Sequence, residues 1–431
     1  MKSAAGVVIA LWLLVGCGRS DGPSAAASAA DPCAVALAPH RGSSTLDQDV
    51  VRLQDKARQA RDRLGTLEHL GWTFVAKART SFDPGFYKLA EQTALCMSAG
   101  APSAAGALLL RGHVLQSMHR FREAEELARD LAARRGQASD HGLLGDALME
   151  QGKLAEAAKA YQAMMDQRPS PEAYVRAAHV RWTTGDLAGA ISLMRMAVGT
   201  SGFRDPEAVA WANTRLALYH LQADTRTEAT RRVDIALAAQ GDYAPALLAK
   251  GRLLFAEGVP ARAITPLARA AQLNPLPEYQ WALIEALRAA GRGEEAAAVE
   301  TQLIRRGPQN DRRTVSLYLA SLPRDAPVAV QLAQQELEAR RDVLTLDALA
   351  WALKAAGRIE EARAYSNQAL SQGTSDARLL YHAGTIAAAL GHGEEAVRRL
   401  AQARAIEHML LPSERDDLAR QWAPHLRRRH G

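Results

Sequence analysis

Two histidines and one aspartate recur at a regular interval, and side chains of these types can hold a metal ion. His113, Asp146 and His179 follow one another at equal steps along the sequence. If each lies on a helix of a successive repeat, neighbouring helices are about 8–10 Å apart and the two histidines roughly twice that. That separation is too large for one metal, whose ligand bonds are about 2 Å long. We therefore predict no metal site and no cofactor, and interpret the three residues as a polar row along a groove.

Patterns of known catalytic sites do not occur in the chain. It lacks His-Glu-x-x-His, Gly-x-Ser-x-Gly, a Ser-x-x-Lys pair and a glycine-rich phosphate loop with lysine. Paired glutamates such as Glu294–Glu295 and Glu360–Glu361 fall where helices are predicted to begin, and negative charge there suits the helix dipole. The sequence therefore predicts no catalytic residue and no enzyme.

The segment from Met1 to Cys17 predicts export and lipid attachment. Lys2 precedes an apolar run, and Leu-Val-Gly-Cys at 14–17 resembles a bacterial lipobox, in which Cys17 becomes the lipidated N-terminus. The run is shorter than the roughly 20 residues of a membrane-spanning helix. We predict a lipoprotein signal peptide at 1–16 and a flexible tether at 17–44, with Gly18 favouring the outer membrane. The alternative is an ordinary secretory signal in which the cysteine is incidental.

The two remaining cysteines form an even pair. In an oxidising compartment Cys33 and Cys96 can form a disulfide, which would hold the tether on the first repeat. The alternative is that Cys96 is a small buried residue beside Met97.

A column of alanines shows which elements position these residues. The alanines recur about every 34 residues with one longer step, and such a period is typical of stacked helix pairs rather than of a single globular core. The column consists of Ala90, Ala124, Ala157, Ala190, Ala229, Ala263, Ala296, Ala329, Ala362 and Ala396.

A second column, mostly glycine, lies five positions before the alanines. Glycine suits the left-handed turn that ends a helix. The glycines are Gly85, Gly152, Gly185, Gly258, Gly291, Gly357 and Gly391, and His119, Asp224 and Arg324 fill the slot elsewhere. Twelve positions before the alanines the side chain is usually alanine or glycine, so two helices can approach closely.

These columns resemble the tetratricopeptide repeat. The clearest unit covers residues 141–161 and reads HGLLGDALMEQGKLAEAAKAY, with a closing proline at Pro169. The resemblance covers residues 66–411 and implies an all-α, right-handed solenoid of about ten helix pairs. An insertion near 199–206 interrupts the period, either as a kink or functional insertion or through drift.

Capping helices are expected at both ends of this solenoid, because terminal repeats need a polar outer face. The apolar stripe from Leu46 to Leu64 predicts a leading helix at 45–65, with Thr45 and Gln48 at capping-box spacing. Residues 412–431 are predicted to form a C-terminal capping helix and a basic tail.

Aromatic residues concentrate on the face that the resemblance places on the inner, concave side. Aromatics are only 5% of the chain, yet five of the six tryptophans after the signal peptide fall on this face. They either complete the core between adjacent helices or anchor a partner, a role for which tryptophan, tyrosine and arginine are enriched. The predicted binding residues are Trp182, Trp211, Arg252, Phe255, Trp281, Arg288, Trp351 and Tyr381.

The expected function is therefore a scaffold without catalysis. It would be lipid-anchored, face the periplasm of a bacterial envelope, and hold an extended segment of a partner envelope protein in its concave groove. The alternative is a protein that binds or processes cell-wall glycan, with Glu278 and Glu285 as a carboxylate pair. With 53 basic and 47 acidic residues and no basic stripe, nucleic acid is not an expected partner. The oligomeric state does not follow from the sequence.

Overall fold

A computed structural model of the chain describes residues 31–199, 205–322 and 325–427. These residues form α-helices and two short 3-10 turns, and no strand occurs among them. Cys17, the predicted signal peptide and most of the predicted tether lie outside the described residues, as do the centre of the insertion near 199–206 and the tail after residue 427. No helix in the described part is both long and apolar enough to cross a membrane.

Ten helix pairs follow one another through the described chain, which confirms the predicted all-α solenoid. The first, inner helices are α3 (Leu64–Ser81), α5 (Ala105–Ser117), α7 (Ala138–Glu150), α9 (Pro171–Thr183), α11 (Pro206–Gln222), α13 (Ala244–Ala256), α15 (Pro277–Ala289), α17 (Arg312–Ala320), α19 (Val343–Ala355) and α21 (Ala377–Ala389). The second, outer helices are α4 (Gly85–Gly100), α6 (Phe121–Arg134), α8 (Leu154–Gln167), α10 (Leu187–Gly199), α12 (Arg226–Ala239), α14 (Ile264–Leu273, preceded by a 3-10 turn at Pro260–Ala263), α16 (Gly293–Asn310), α18 (Ala326–Ala339), α20 (Ile359–Leu370) and α22 (Gly393–Ala405).

The alanine column is buried where the two helices of each pair meet. Each of its ten members is at most 1% exposed. The small residue twelve positions before most of these alanines is equally constrained. At Gly145, for example, an added Cβ would collide with the ring of Tyr161. Tight helix contact within a pair therefore depends on these small side chains.

The turn inside a pair uses a left-handed residue, as the glycine column predicted. Gly152 and Gly291 have φ values of 72° and 73°. His119 and Asp224 adopt the same conformation without being glycine, with φ values of 59° and 53°. The first pair differs, because its left-handed residue is Phe82, and Gly85 instead begins α4.

The N-terminal region is more ordered than a tether. Helix α1 (Pro32–Ala36) lies within the segment expected to be flexible, and a disulfide joins Cys33 to Cys96 of α4. Helix α2 (Thr45–Gln59) packs on α3 through buried residues such as Leu53, and it ends before the expected residue 65. Its capping box uses Ser44 and Asp47 rather than Thr45 and Gln48, because the Asp47 carboxylate accepts from the Ser44 backbone N–H at 3.0 Å.

The solenoid coils until late repeats touch early ones along a line that we call the seam. The Arg341 N–H donates to the Glu150 carbonyl at 2.9 Å, and Arg340 forms an ion pair with the Glu150 carboxylate at 2.8 Å. Further along, the Gln222 amide donates to the Ser375 carbonyl at 3.0 Å. The ends of inner helices of repeats three to five thus lie against the starts of inner helices of repeats nine and ten, and the concave face becomes an enclosed interior.

Residues 406–427, which we call the C-terminal segment, do more than cap the last repeat. Helix α23 (Pro412–Arg427) follows a 3-10 turn at Glu407–Met409 and contacts α22, but its first turn reaches across the interior to α15. Ser413 donates its N–H and hydroxyl to the Glu285 carboxylate at 3.0 and 2.7 Å, and Arg415 donates to the Phe255 carbonyl at 2.9 Å. The expected end cap is therefore corrected to a segment that also crosses the concave face, because buried polar partners on inner helices hold it there.

Candidate functional site

A cavity of about 410 Å³ lies inside the coil, and its lining comes from inner helices of repeats four to ten and from the C-terminal segment. This volume falls within the range of about 300–1,000 Å³ that is common for ligand sites. The cavity is the candidate site, because it combines large aromatic residues with charged groups in an enclosed space.

Four of the eight predicted binding residues line this cavity, namely Trp182, Trp211, Arg252 and Trp281. Trp211 is 39% exposed, whereas Trp281 in the same lining is 4% exposed. The Trp182 indole N–H donates to the Gln222 side chain at 2.8 Å, so this ring is fixed in place. Trp211 is thus the aromatic side chain of the cavity that is most available to a ligand.

Trp281 is already covered by the protein. It is 4% exposed, its indole N–H donates to Glu285 at 3.2 Å, and the Arg378 guanidinium lies 4.9 Å from its ring centre. The tryptophan forms one wall of the cavity and anchors two charged neighbours.

The other four predicted residues lie outside the cavity lining. Phe255 is 2% exposed, and Trp351 is 3% exposed and stacks on His382 at 4.0 Å. Tyr381 donates to Asp417 of the C-terminal segment, and Arg288 pairs with Glu300 at 2.8 Å on the same repeat. We correct the predicted surface accordingly, because adjacent inner helices and the C-terminal segment cover part of the aromatic face.

Three ion pairs cross or border the cavity. Arg252 pairs with Glu278 at 3.0 Å, Arg313 with Asp342 at 3.1 Å, and Arg378 with Glu414 at 2.6 Å. Burial works against the ionised forms of Asp342 and Glu414, but the neighbouring arginines hold the pKa of both carboxyls below their ordinary values. The pairs hold the inner helices and the C-terminal segment together.

Several cavity residues were missed by sequence reasoning, among them Asp311, Asp376, Arg313 and Arg378. The signal that could have revealed the two aspartates is their position before inner helices, since Asp311 and Asp376 are the N-cap residues of α17 and α21. Arg313 and Arg378, each two positions further on, carry no comparable signal.

The polar row of His113, Asp146 and His179 is held by internal contacts. Asp146 forms a salt bridge with Arg176 at 2.7 Å and accepts from the Tyr161 hydroxyl at 2.9 Å. His113 contacts Arg79 at 3.0 Å. In the described part of the chain, no group of histidines, cysteines and carboxylates is arranged to hold a metal.

The two glutamates considered for glycan chemistry also have separate roles. Glu278 is bonded to Arg252, whereas Glu285 is 4% exposed and accepts from Trp281 and Ser413. Burial raises the pKa of the Glu285 carboxyl. Each carboxylate is thus held by its own structural partners, and the two do not face one common substrate site.

Comparison with known proteins identifies the repeat. A tetratricopeptide repeat model matches residues 109–170, 143–208 and 248–311. The chain contains tetratricopeptide repeats. No curated protein matches it.

Solved structures of similar fold share little sequence with this chain. A chain of the Cut9–Hcn1 hetero-tetramer of the APC/C has 13% identity and a TM-score of 0.33, and the match covers 88% of this chain and 96% of that one. Yeast Tom70 has 13% identity and a TM-score of 0.38, with 89% and 97% covered. MamA has 20% identity and a TM-score of 0.31, with 37% and 91% covered. Likenesses this distant give no information about the partner of this chain.

Tetratricopeptide repeats typically form scaffolds for protein interaction rather than catalytic sites. In this chain the concave face is enclosed by the seam and the C-terminal segment. A ligand would therefore contact the cavity, not an open groove along all ten repeats.

Proposed function

We propose that this protein is a lipid-anchored, periplasm-facing scaffold of a bacterial envelope, without catalytic activity. It binds a short segment of a partner envelope protein in the cavity. The exposed indole of Trp211, in the same lining as Arg215 and one helical turn before it on α11, carries the proposal. Tryptophan and arginine in an enclosed position are the residue types that most often anchor partners.

The size of the cavity defines what the scaffold holds. At about 410 Å³ it accommodates a few residues rather than a long extended chain. The partner therefore inserts a loop or a chain end, and the rest of its surface lies outside the coil.

The test replaces Trp211 and compares it with a tryptophan of similar exposure elsewhere. Trp72 on α3 is 37% exposed and contacts His113, away from the cavity. After crosslinking in intact cells, a partner recovered with the native protein should be lost with Trp211→Ala and retained with Trp72→Ala. A photo-crosslinking residue at position 211 should capture the same partner. Equal recovery with both variants would contradict the proposed site.

The anchor is tested separately at Cys17. Because two or more acyl chains hold a protein durably on a bilayer, Cys17→Ser should move the protein from the membrane fraction to the soluble fraction of the envelope. The control is the native protein in the same cells. Continued sedimentation of Cys17→Ser with outer membranes would overturn the anchor.

A further inference from the structure

Carboxylates outnumber arginines once the ion-pair partners directly behind the cavity lining are counted with the lining itself. Of the charged groups in the lining, four are arginines and four are carboxylates, but three of the arginines already have carboxylate partners. Two of those partners, Asp342 and Glu414, are not part of the lining. Glu278 is therefore the one lining carboxylate that is paired with a lining arginine. What remains is Arg215 on the positive side and Asp311, Asp347 and Asp376 on the negative side.

Two of the three remaining carboxylates have ordinary structural roles. Asp311 accepts from the Thr314 N–H at 3.0 Å, and Asp376 accepts from the N–H groups of Arg378 and Leu379 at 2.9 and 3.2 Å. Both therefore cap helices, and the helix dipole stabilises their charge. Even so, burial raises the pKa of the Asp376 carboxyl, despite the nearby Arg378.

Asp347 has no such role, because it lies inside α19 rather than at its start. It is 2% exposed. Its Oδ2 accepts from the His382 ring at 2.8 Å, and its Oδ1 has no hydrogen-bond partner among the described residues. A buried carboxylate oxygen without a donor is costly, so its presence in a cavity wall points to a ligand that supplies the donor.

We propose that the cavity binds the charged end of a lysine or arginine side chain at Asp347 and Asp376. This deepens the proposed function by naming the part of the partner segment that enters. The ammonium or guanidinium donates to the free Asp347 oxygen and balances the excess negative charge of the lining and the ion-pair partners behind it. The aliphatic stem lies among the tryptophans, including the exposed Trp211. A metal ion does not fit, because the described residues contain no group arranged as metal ligands.

The first experiment uses acetylated, amidated tripeptides Ala-X-Ala as probes, with X as lysine, arginine, norleucine or glutamate. Binding is measured through tryptophan fluorescence and through the midpoint of thermal unfolding of the full chain. The lysine or arginine probe should bind, and the norleucine and glutamate probes should bind at least about tenfold more weakly, since neither can donate a charge-assisted hydrogen bond to a carboxylate. Tighter binding of the glutamate probe, or equal binding of all four, would overturn the proposal. Spermidine as a separate probe distinguishes a free amine from a side chain, because only a side-chain site prefers the peptide.

The second experiment replaces the carboxylates. Asp347→Asn and Asp376→Asn should each weaken the cationic probe by about tenfold, and asparagine preserves the helix cap at position 376. Asp416→Asn, an exposed residue of the C-terminal segment outside the lining, removes the same charge as a control. Asp347→Asn should also leave the unfolding midpoint of the empty protein unchanged or raise it. The proposal is wrong if Asp347→Asn lowers the unfolding midpoint of the empty protein and Asp376→Asn binds the cationic probe as well as the native protein does. In that case Asp347 serves only to hold His382.

The outcome is separable from that of the proposed function. Probe binding without a crosslinked partner at position 211 would leave the cation site intact and remove the scaffold role. A crosslinked partner without preference for cationic probes would do the opposite.

Discussion

At the scale of single residues, the inner helices hold histidines in their neutral form. His179 stacks on Trp182 with ring centres 5.7 Å apart, and its Nδ1 is buried without a hydrogen-bond partner among the described residues. Burial, helped by the charge of Arg215, lowers its pKa from 6.5 to about 4. Burial likewise lowers the pKa of His113 on α5 to about 4, with the charge of Arg79 adding to the effect.

This predicts a loss of stability in acid. Because the folded-state pKa is depressed, the unfolded chain takes up the proton first as the pH falls. The contribution of neutral His179 to the free energy of unfolding is complete above pH 6.5 and is lost as the pH falls through about 4. His179→Phe keeps a stacked ring but cannot be protonated, so its free energy of unfolding should fall less over this interval than that of the native protein.

Urea unfolding at a series of pH values measures this difference. His392→Phe, on an exposed turn, serves as the control for loss of a histidine. Identical pH dependence in the native protein and His179→Phe would show that this ring does not contribute.

At the scale of helix pairs, one turn glycine has a second task. Gly152 and Gly291 occupy equivalent turns with φ values of 72° and 73°. A Cβ at Gly291 would have nothing within 4 Å, whereas one at Gly152 would lie 2.5 Å from the Arg341 carbonyl oxygen across the seam. A substitution at Gly291 therefore tests only the strain of the left-handed turn, whereas one at Gly152 also tests the contact across the seam.

Alanine at each position should therefore give different results. Gly291→Ala should cost about 1–2 kcal/mol of unfolding free energy from left-handed strain alone. Gly152→Ala should cost more and should also increase the radius of gyration in small-angle X-ray scattering, because backbone faces backbone at the seam and cannot move aside locally. An unchanged radius for Gly152→Ala, or equal costs for the two variants, would argue against a closed coil in solution.

Elements held by local contacts were predictable from the sequence. The alanine column, the left-handed turns and the succession of helix pairs follow from residues within one repeat, such as Gly145 against Tyr161. The C-terminal helix was predicted as an end cap, but its inward position depends on Glu285 and Arg378, which lie far away in sequence. Partner residues such as Phe255 and Tyr381 were misplaced for the same reason.

At the scale of the whole molecule, closure of the coil depends on small rotations that accumulate from repeat to repeat. The Arg340–His119 contact, at 3.2 Å, joins residues 221 positions apart, and the Gln222–Ser375 contact spans 153. No pattern within one unit encodes such contacts, so the enclosed cavity could not be predicted from the sequence. An ordinary solenoid has contacts only between neighbouring repeats, whereas here early and late repeats stabilise each other.

The covalent bond between Cys33 and Cys96 has a mechanical consequence. Tension applied to the chain before Pro32 enters α1 and passes directly through the two sulfur atoms into α4. The intervening loop, whose ends are 63 positions apart in sequence, carries none of this load. Pulling on the leading end would therefore leave α2 and α3 folded, and the first helices to yield would be those beyond residue 96.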